Sequence, residues 1–431
     1  MKRTAATLFL CVTALFRAWG QTPVWSLDSC VDYALKHNCA ILLQDVEAIK
    51  SRANLVQSKL ALLPSLNLYL NQYYNWGRSV DMQELVIVRN RLTRQTSGSV
   101  GASFLIFDGF AGINTIEMHR HLVRAADNNL RQSVLDVKAD IARAYLANIL
   151  AKLSRRQLEQ SLSNVLEQAS RAAVQCRLGA ADRSDCLELE AKAADIRARI
   201  VAARSEEVAQ AEQLRTLMGG DVVFETDTCT VAGDYPDTWP EWALQDITPP
   251  GVKAAENELA AARSALRATR GALFPSLTVN AAYGTYYSDA GDDSFKDQID
   301  GNRNPSVSLS LAMPLFNGGK TASAISLAKS DLRAAEIRMQ QARQEAAVYQ
   351  SQLIGQCETL RSQTEAARAR VGLLRERMKI ASEEHSLGVI TTAEWIDAAE
   401  DLLQGSCEHV QALCKYLFQL KIIDFYIDEC R

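Results

Sequence analysis

The residues able to do chemistry are few in this sequence, and they are scattered. Its five histidines, His37, His119, His121, His385 and His409, share no ligand spacing, and no GxSxG, P-loop or HExxH pattern occurs. Ser326-Leu327-Ala328-Lys329 matches SxxK by letter but falls in a helical stretch without the companion motifs of serine acyltransferases. There are ten cysteines, none in a CxxC. Cys11 lies inside the apolar N-terminal run, which leaves nine in a mature chain, an odd number. Cys176 and Cys186 flank Gly179 to Ala181 almost symmetrically. A helical hairpin there would bring them together, either as a disulfide or as two small buried side chains. No catalytic residue, metal site or cofactor is expected.

The remaining candidates are carboxylates beside two Leu-Gly pairs, Leu178-Gly179 and Leu387-Gly388. Asp182 with Asp185, and Thr391 with Glu394, have the spacing of an N-cap and its third helical residue, which lets the acid close a capping box. Asp397 follows Glu394 by three residues, on about the same helix face.

The elements that must position these groups form two similar halves. Leu63-Pro64-Ser65-Leu66 recurs as Phe274-Pro275-Ser276-Leu277, an offset of 275 - 64 = 211. Phe107-Asp108-Gly109-Phe110 recurs as Phe316-Asn317-Gly318-Gly319, and Leu178-Gly179 as Leu387-Gly388, both with an offset of 209 (316 - 107 and 387 - 178). Between Ile113 and Leu178 there is neither Pro nor Gly, while Leu158, Leu162, Val165, Ala169 and Ala172 step by four and three, the pattern of a long coiled-coil helix. Each Leu-Gly is followed by a shorter returning helix. The expected layout is a signal peptide over 1–20 and a first repeat over 21–218, a connector over 219–250, and a second repeat over 251–431. The first repeat holds a helix, strands at about 64–76 and 97–107, a long helix 110–178 and a return helix 182–218. The second holds a helix, strands at about 275–287 and 305–315, a long helix 319–387 and a return helix 391–424. Met1-Lys2-Arg3, the apolar run Ala5 to Phe16 and Ala18-Trp19-Gly20 carry the signal reading.

The four strands alternate with period two: Leu66, Leu68, Leu70, Tyr74 and Trp76 against Ser65, Asn67, Asn71 and Asn75, for example. The opposite faces are Ser, Thr, Asn and Gly, which suits a polar lumen behind an apolar outer band. Tyr73, Tyr74, Trp76, Tyr283, Tyr286 and Tyr287 gather near one end, as an interfacial girdle would. Four strands cannot close a barrel, so a membrane reading requires identical copies to pool their strands. A formal net charge of -4 leaves no basic excess for nucleic acid.

Strand hairpin, FDGF or FNGG turn, long helix and LG tip, given twice over essentially the whole mature chain, resemble the TolC-type outer-membrane efflux proteins. The stretch Asn75 to Asp81 looks like the first external loop of Bacteroidetes members. The resemblance implies a mainly α fold with transmembrane β: a homotrimer whose chains give four strands each to a 12-stranded barrel. A coiled-coil helical barrel would continue it through the periplasm. It implies export in concert with a periplasmic adaptor and an inner-membrane pump, in contact with outer-membrane lipid, and no nucleic-acid partner. By this resemblance Asp185, Glu394 and Asp397 line the periplasmic gate, and Gly179 and Gly388 make the tip turns that receive the adaptor. Gly109, Gly318 and Gly319 let the backbone pass from strand to helix. Where the family often has a basic locking residue this chain has Ile390. The competing reading is a soluble periplasmic coiled-coil scaffold or adaptor.

Overall fold

The computed structural model describes residues 24–80, 87–177, 183–220, 222, 225–226, 247–289, 293–387 and 389–430. The expected signal peptide therefore lies outside the described residues. In chain order the elements are β1 (Val24–Trp25), α1 (Leu27–His37), α2 (Cys39–Leu60), β2 (Ser65–Val80), β3 (Ile87–Phe107), α3 (Ala111–Arg177) and α4 (Arg183–Met218). They continue with β4 (Glu225–Thr226), α5 (Pro250–Gly271), β5 (Ser276–Ser288), α6 (Phe295–Gly301), β6 (Asn304–Ala312), α7 (Lys320–Ser386) and α8 (Thr392–Cys430). None of the described helices is long and apolar enough to cross a membrane.

The chain divides into two compact units. One gathers Met1–Val46, Asn129–Gly251 and Arg343–Arg431; the other gathers Glu47–Asn128 and Val252–Ala342. The long helices α3 and α7 have 67 residues each, and both ends differ by the same 209 positions (320 - 111 and 386 - 177). At about 1.5 Å per residue each runs roughly 100 Å.

In the first unit the core is aromatic and aliphatic: Tyr145, Ile141, Ile149, Leu214, Met218, Tyr416, Ile423 and Tyr426 are all essentially inaccessible. The polar ends of these rings are satisfied, since the Tyr145 hydroxyl donates to Trp25 O at 2.9 Å and Gln350 Nε2 donates to Tyr426 Oη at 3.0 Å. The single helix expected before the first strand is split at Asn38 into α1 and α2. Its Oδ1 accepts from Ala40 N (2.8 Å) and Ile41 N (3.3 Å), capping α2, while its Nδ2 donates to Leu217 O (2.6 Å) at the end of α4. One buried amide thus serves the termini of two helices.

In the second unit β2, β3, β5 and β6 form an antiparallel sheet in the order β2-β3-β5-β6. Partners directly opposite share a face, so Leu66 with Ala102, Val100 with Tyr283 and Val279 with Leu309 place the apolar residues together. That face is uncovered in the single chain: Leu70 and Trp76 are each 74% exposed and Val307 80%. The opposite face carries Asn67, Asn71, Ser99, Asn280, Ser308 and Ser310. Two of the girdle residues fall on it. Tyr73 lies opposite Gln95 and Tyr286 opposite Ser97, so only Tyr74, Trp76, Tyr283 and Tyr287 share the apolar side. A register irregularity between Leu105 and Phe107 lets Phe107 pair with Leu277 and leaves Ile106 as the extra residue.

Candidate functional site

The second Leu-Gly tip is the better described of the two expected gate regions. Thr391 precedes α8, and its hydroxyl accepts from Glu394 N at 3.3 Å, while the Glu394 carboxylate accepts from Thr391 N at 2.8 Å and from the Thr391 hydroxyl at 2.9 Å. This is a closed capping box. The two Thr391 donors hold the Glu394 carboxyl below its usual range. Asp397 is exposed one turn further along α8. Trp395 Nε1 donates to Ser382 Oγ at 3.3 Å, tying the start of α8 to α7.

Between these helices Leu373, Glu376, Arg377, Ile380, Glu384, Ile390 and Glu394 line an open cleft of about 510 Å³. Arg377 pairs with Asp401 at 2.5 Å, and Arg370 pairs with Glu408, so the hairpin is laced by charge on its surface. Each such exposed pair contributes at most about 1 kcal/mol. A further pair, Lys192 with Glu400 at 2.9 Å, joins the return helices α4 and α8.

At the first tip, Gly179 and Asp182 lie outside the described residues, as does Gly388 at the second. Asp185 sits in the first turn of α4, and its side chain lies outside what is described. The structure thus brings Glu394 and Asp397 onto one helix start.

The strand-to-helix turns are fully described. Gly109 has φ +67°, Gly318 +66° and Gly319 +80°, and Phe110 adopts +65° without being glycine. Two consecutive left-handed residues therefore join strand to helix in both halves. The residue before each turn closes it by side-chain acceptance: Asp108 Oδ2 takes Gly112 N at 2.6 Å, and Asn317 Oδ1 takes Thr321 N at 3.4 Å. A Cβ on Gly109 would collide with the Gly271 carbonyl and lie 2.9 Å from Phe274 Cβ. Nothing stands within 4 Å of the same point on Gly318.

Sequence reasoning missed Gln298, which is fully buried beneath the β5–β6 connection. Its Nε2 donates to Ser288 O (2.9 Å) and Asp293 O (3.0 Å), and its Oε1 accepts from Ser288 N (2.9 Å). A lone Gln in a polar segment carries no pattern that could announce this. Among the described residues no group of three or more His, Cys, Asp or Glu is placed to hold a metal.

The chain thus carries an open sheet, apolar on one face and polar on the other, joined by double left-handed turns to two 67-residue helices. Residues 31–220 and 248–420 match the outer membrane efflux protein family. The chain belongs to that family. Among curated relatives it is 27% identical over 328 residues to the outer membrane efflux protein BepC of Brucella suis biovar 1, spanning 74% of this chain and 69% of BepC. Its fold is similar to that of CusC, with a TM-score of 0.78 at 17% identity, covering 93% of this chain and 91% of CusC. It is also similar to the Campylobacter jejuni CmeC outer membrane channel, with a TM-score of 0.77 at 15% identity over 94% of this chain and 85% of CmeC. As a family member the chain is an outer-membrane protein with its helical part in the periplasm.

Proposed function

We propose that three copies of this chain close a twelve-stranded barrel in the outer membrane, continued by a periplasmic helical tunnel. Substrates delivered by an inner-membrane pump through an adaptor would leave along it passively. The observation that carries this reading is the four-stranded sheet, whose apolar face is exposed and whose outer strands β2 and β6 each pair on one side only. In lipid such edges must be paired, and four strands are half of what the smallest bacterial barrels use.

The two halves of the sheet supply the geometry of closure. Leu66 opposite Ala102 in the first half corresponds to Leu277 opposite Leu311 in the second, with offsets of 211 (277 - 66) and 209 (311 - 102). Applying these offsets to the junction pair Ala102 and Ala281 gives 102 + 209 = 311 and 281 - 211 = 70. Leu311 of one copy then lies opposite Leu70 of the next, Ser310 opposite Asn71 and Ser308 opposite Tyr73. Apolar meets apolar in this register, whereas a slip by one residue would set leucine against asparagine. The turns support the same closure. Gly109 is packed by Gly271 and Phe274 of its own chain, and the equivalent packing for Gly318 would come from Leu60 and Leu63 of a neighbouring copy (271 - 211 and 274 - 211). Both leucines are exposed here.

The test is oxidative cross-linking of the detergent-extracted protein bearing Asn71→Cys with Ser310→Cys, against single-cysteine controls. Ladders of dimer and trimer are expected from this pair and much less from Asn75→Cys with Ser310→Cys. Equal yields would overturn the register. A water-soluble monomer by light scattering would overturn the channel and favour a periplasmic scaffold.

For the gate we infer that Asp397, together with Asp185 of the other tip, faces the passage, and that Glu394 chiefly fastens the start of α8. A ring of carboxylates around a threefold axis would attract cations. Asp397→Asn should weaken cation block of single-channel current severalfold while leaving thermal stability unchanged. Glu394→Ala should do the reverse. Equal block in the Asp397 variant and the parent would remove Asp397 from the gate.

A further inference from the structure

The hairpin of α3 and α4 is held together by a seam that can be followed layer by layer toward its tip. Val165, Ala193 and Ile196 are buried together, with Leu162, Leu189 and Ile200 packed around them. Along α3 the buried or half-buried residues Leu162, Val165, Ala169, Ala172 and Cys176 step by 3, 4, 3 and 4. Along α4 the inward residues Ile200, Ile196, Ala193, Leu189 and Cys186 step by 4, 3, 4 and 3, with exposed Leu187 turned away between the last two.

Antiparallel layers have a nearly constant sum of residue numbers. Leu162 with Ile200 gives 362 and Val165 with Ile196 gives 361, and the next layers are Ala169 with Ala193 at 362 and Ala172 with Leu189 at 361. By the same sum Cys176 with Cys186, at 362, would form the next layer toward the tip. The second hairpin checks this layering by direct contact. Its positions equivalent to Val165 and Ile196 are Leu374 and Gly405 (165 + 209 and 196 + 209), and a Cβ on Gly405 would collide with Leu374 Cδ1.

We infer that Cys176 and Cys186 are a disulfide pair that clasps the tip of the first hairpin in the oxidising periplasm. Both are half-buried on the seam. The small side chains of Ala169, Ala172 and Ala193 beneath them permit the close end of the usual 8–10 Å helix spacing, which suits the short Cα separation of a disulfide. A thiol oxidant that itself carries a disulfide supplies the chemistry. One cysteine thiolate attacks that disulfide, the other displaces the oxidant from the mixed disulfide, and the oxidant leaves as a dithiol with two electrons and two protons.

Of the other described cysteines, Cys30, Cys357, Cys414 and Cys430 belong to the aromatic core, where burial pushes the Cys30 thiol up to about 12 and the Cys414 thiol up to about 11, while Cys39 is exposed at the start of α2 and Cys407 is half-buried on α8. The second hairpin has no counterpart, because its equivalent positions are His385 and Trp395 (176 + 209 and 186 + 209). The clasp would therefore restrain one tip of each chain, at the helical turn that carries Asp185, and leave the other tip unclasped.

The mature protein, extracted in detergent without reductant, treated with diamide and cleaved with trypsin, tests this. The expected product is peptide 172–177 joined to peptide 184–192, lost on reduction and absent from Cys176→Ser and Cys186→Ser. Recovery of both peptides as alkylated thiols after diamide, or of either joined to another cysteine, overturns the pairing. Amide exchange over 184–188 should slow at least tenfold on oxidation in the parent and not in Cys176→Ser; equal rates would overturn the restraint.

Discussion

The two strand-to-helix turns share a backbone and differ in what surrounds it. Gly109 is wedged against Gly271 and Phe274, and Phe107 beside it is half-buried, edge-on to Phe110 with ring centroids 5.2 Å apart. Gly318 has nothing within 4 Å, and the equivalent Phe316 is 89% exposed. The same local chemistry is thus completed by the chain itself in one half and left open in the other. In the proposed assembly the second half of the chain packs the first turn, and a neighbouring copy would pack the second. On that reading a single subunit would display its interface as the places where an internal contact lacks its counterpart.

The sharpest test of that contrast is alanine at each turn. Gly109→Ala combines a left-handed φ with a backbone clash and should destabilise the subunit by about 3 kcal/mol or more, seen as loss of folded protein in thermal melts. Gln298→Leu should follow, removing its three hydrogen bonds to the Ser288 and Asp293 backbone at about 2–3 kcal/mol. Amide exchange in 285–302 would rise while the trimer fraction stayed as in the parent, since that contact is internal.

Gly318→Ala should cost only about 1–2 kcal/mol of φ strain within one chain, yet lower the detergent-stable trimer fraction severalfold. Trimer content equal to the parent's would show that the space stays open on assembly. The smallest effect belongs to the Glu394 cap. Its carboxyl is held below the unfolded range, so its contribution is present above the unfolded pKa, about 4.3, and is lost as pH falls through the folded value. Amide protection at the start of α8 should fall below about pH 4 in the parent and be low at every pH in Glu394→Ala.

α3 was legible because Ile113 to Leu178 holds neither Pro nor Gly, and α7 because it repeats α3 at an offset of 209 despite Gly355 and Gly372; the sheet faces were legible because period two survives in every strand. The break at Asn38 was not, since neither Pro nor Gly marks it and its reason is the distant Leu217 carbonyl. β3 begins at Ile87, about ten residues earlier than expected, because Arg91 and Arg94 read as loop while backbone pairing with β2 carries them into the strand. The short α6 depends on a buried amide that no periodicity announces. At the candidate gate the capping of Glu394 was readable from Thr391. Its neighbourhood with Arg377 and Glu384 required the hairpin to be folded.

Equal helix length carries a different kind of consequence. With α3 and α7 both 67 residues long, each hairpin is a ruler set by the same number of turns. Removing one heptad from α3 alone would retract its end by about 10 Å and shift every seam layer against α4. A viable length change therefore has to be made four times at once, in both outgoing helices and both returning ones. Drift in this chain is expected to spare length and act on side chains, while insertions collect in the sheet loops and the connector.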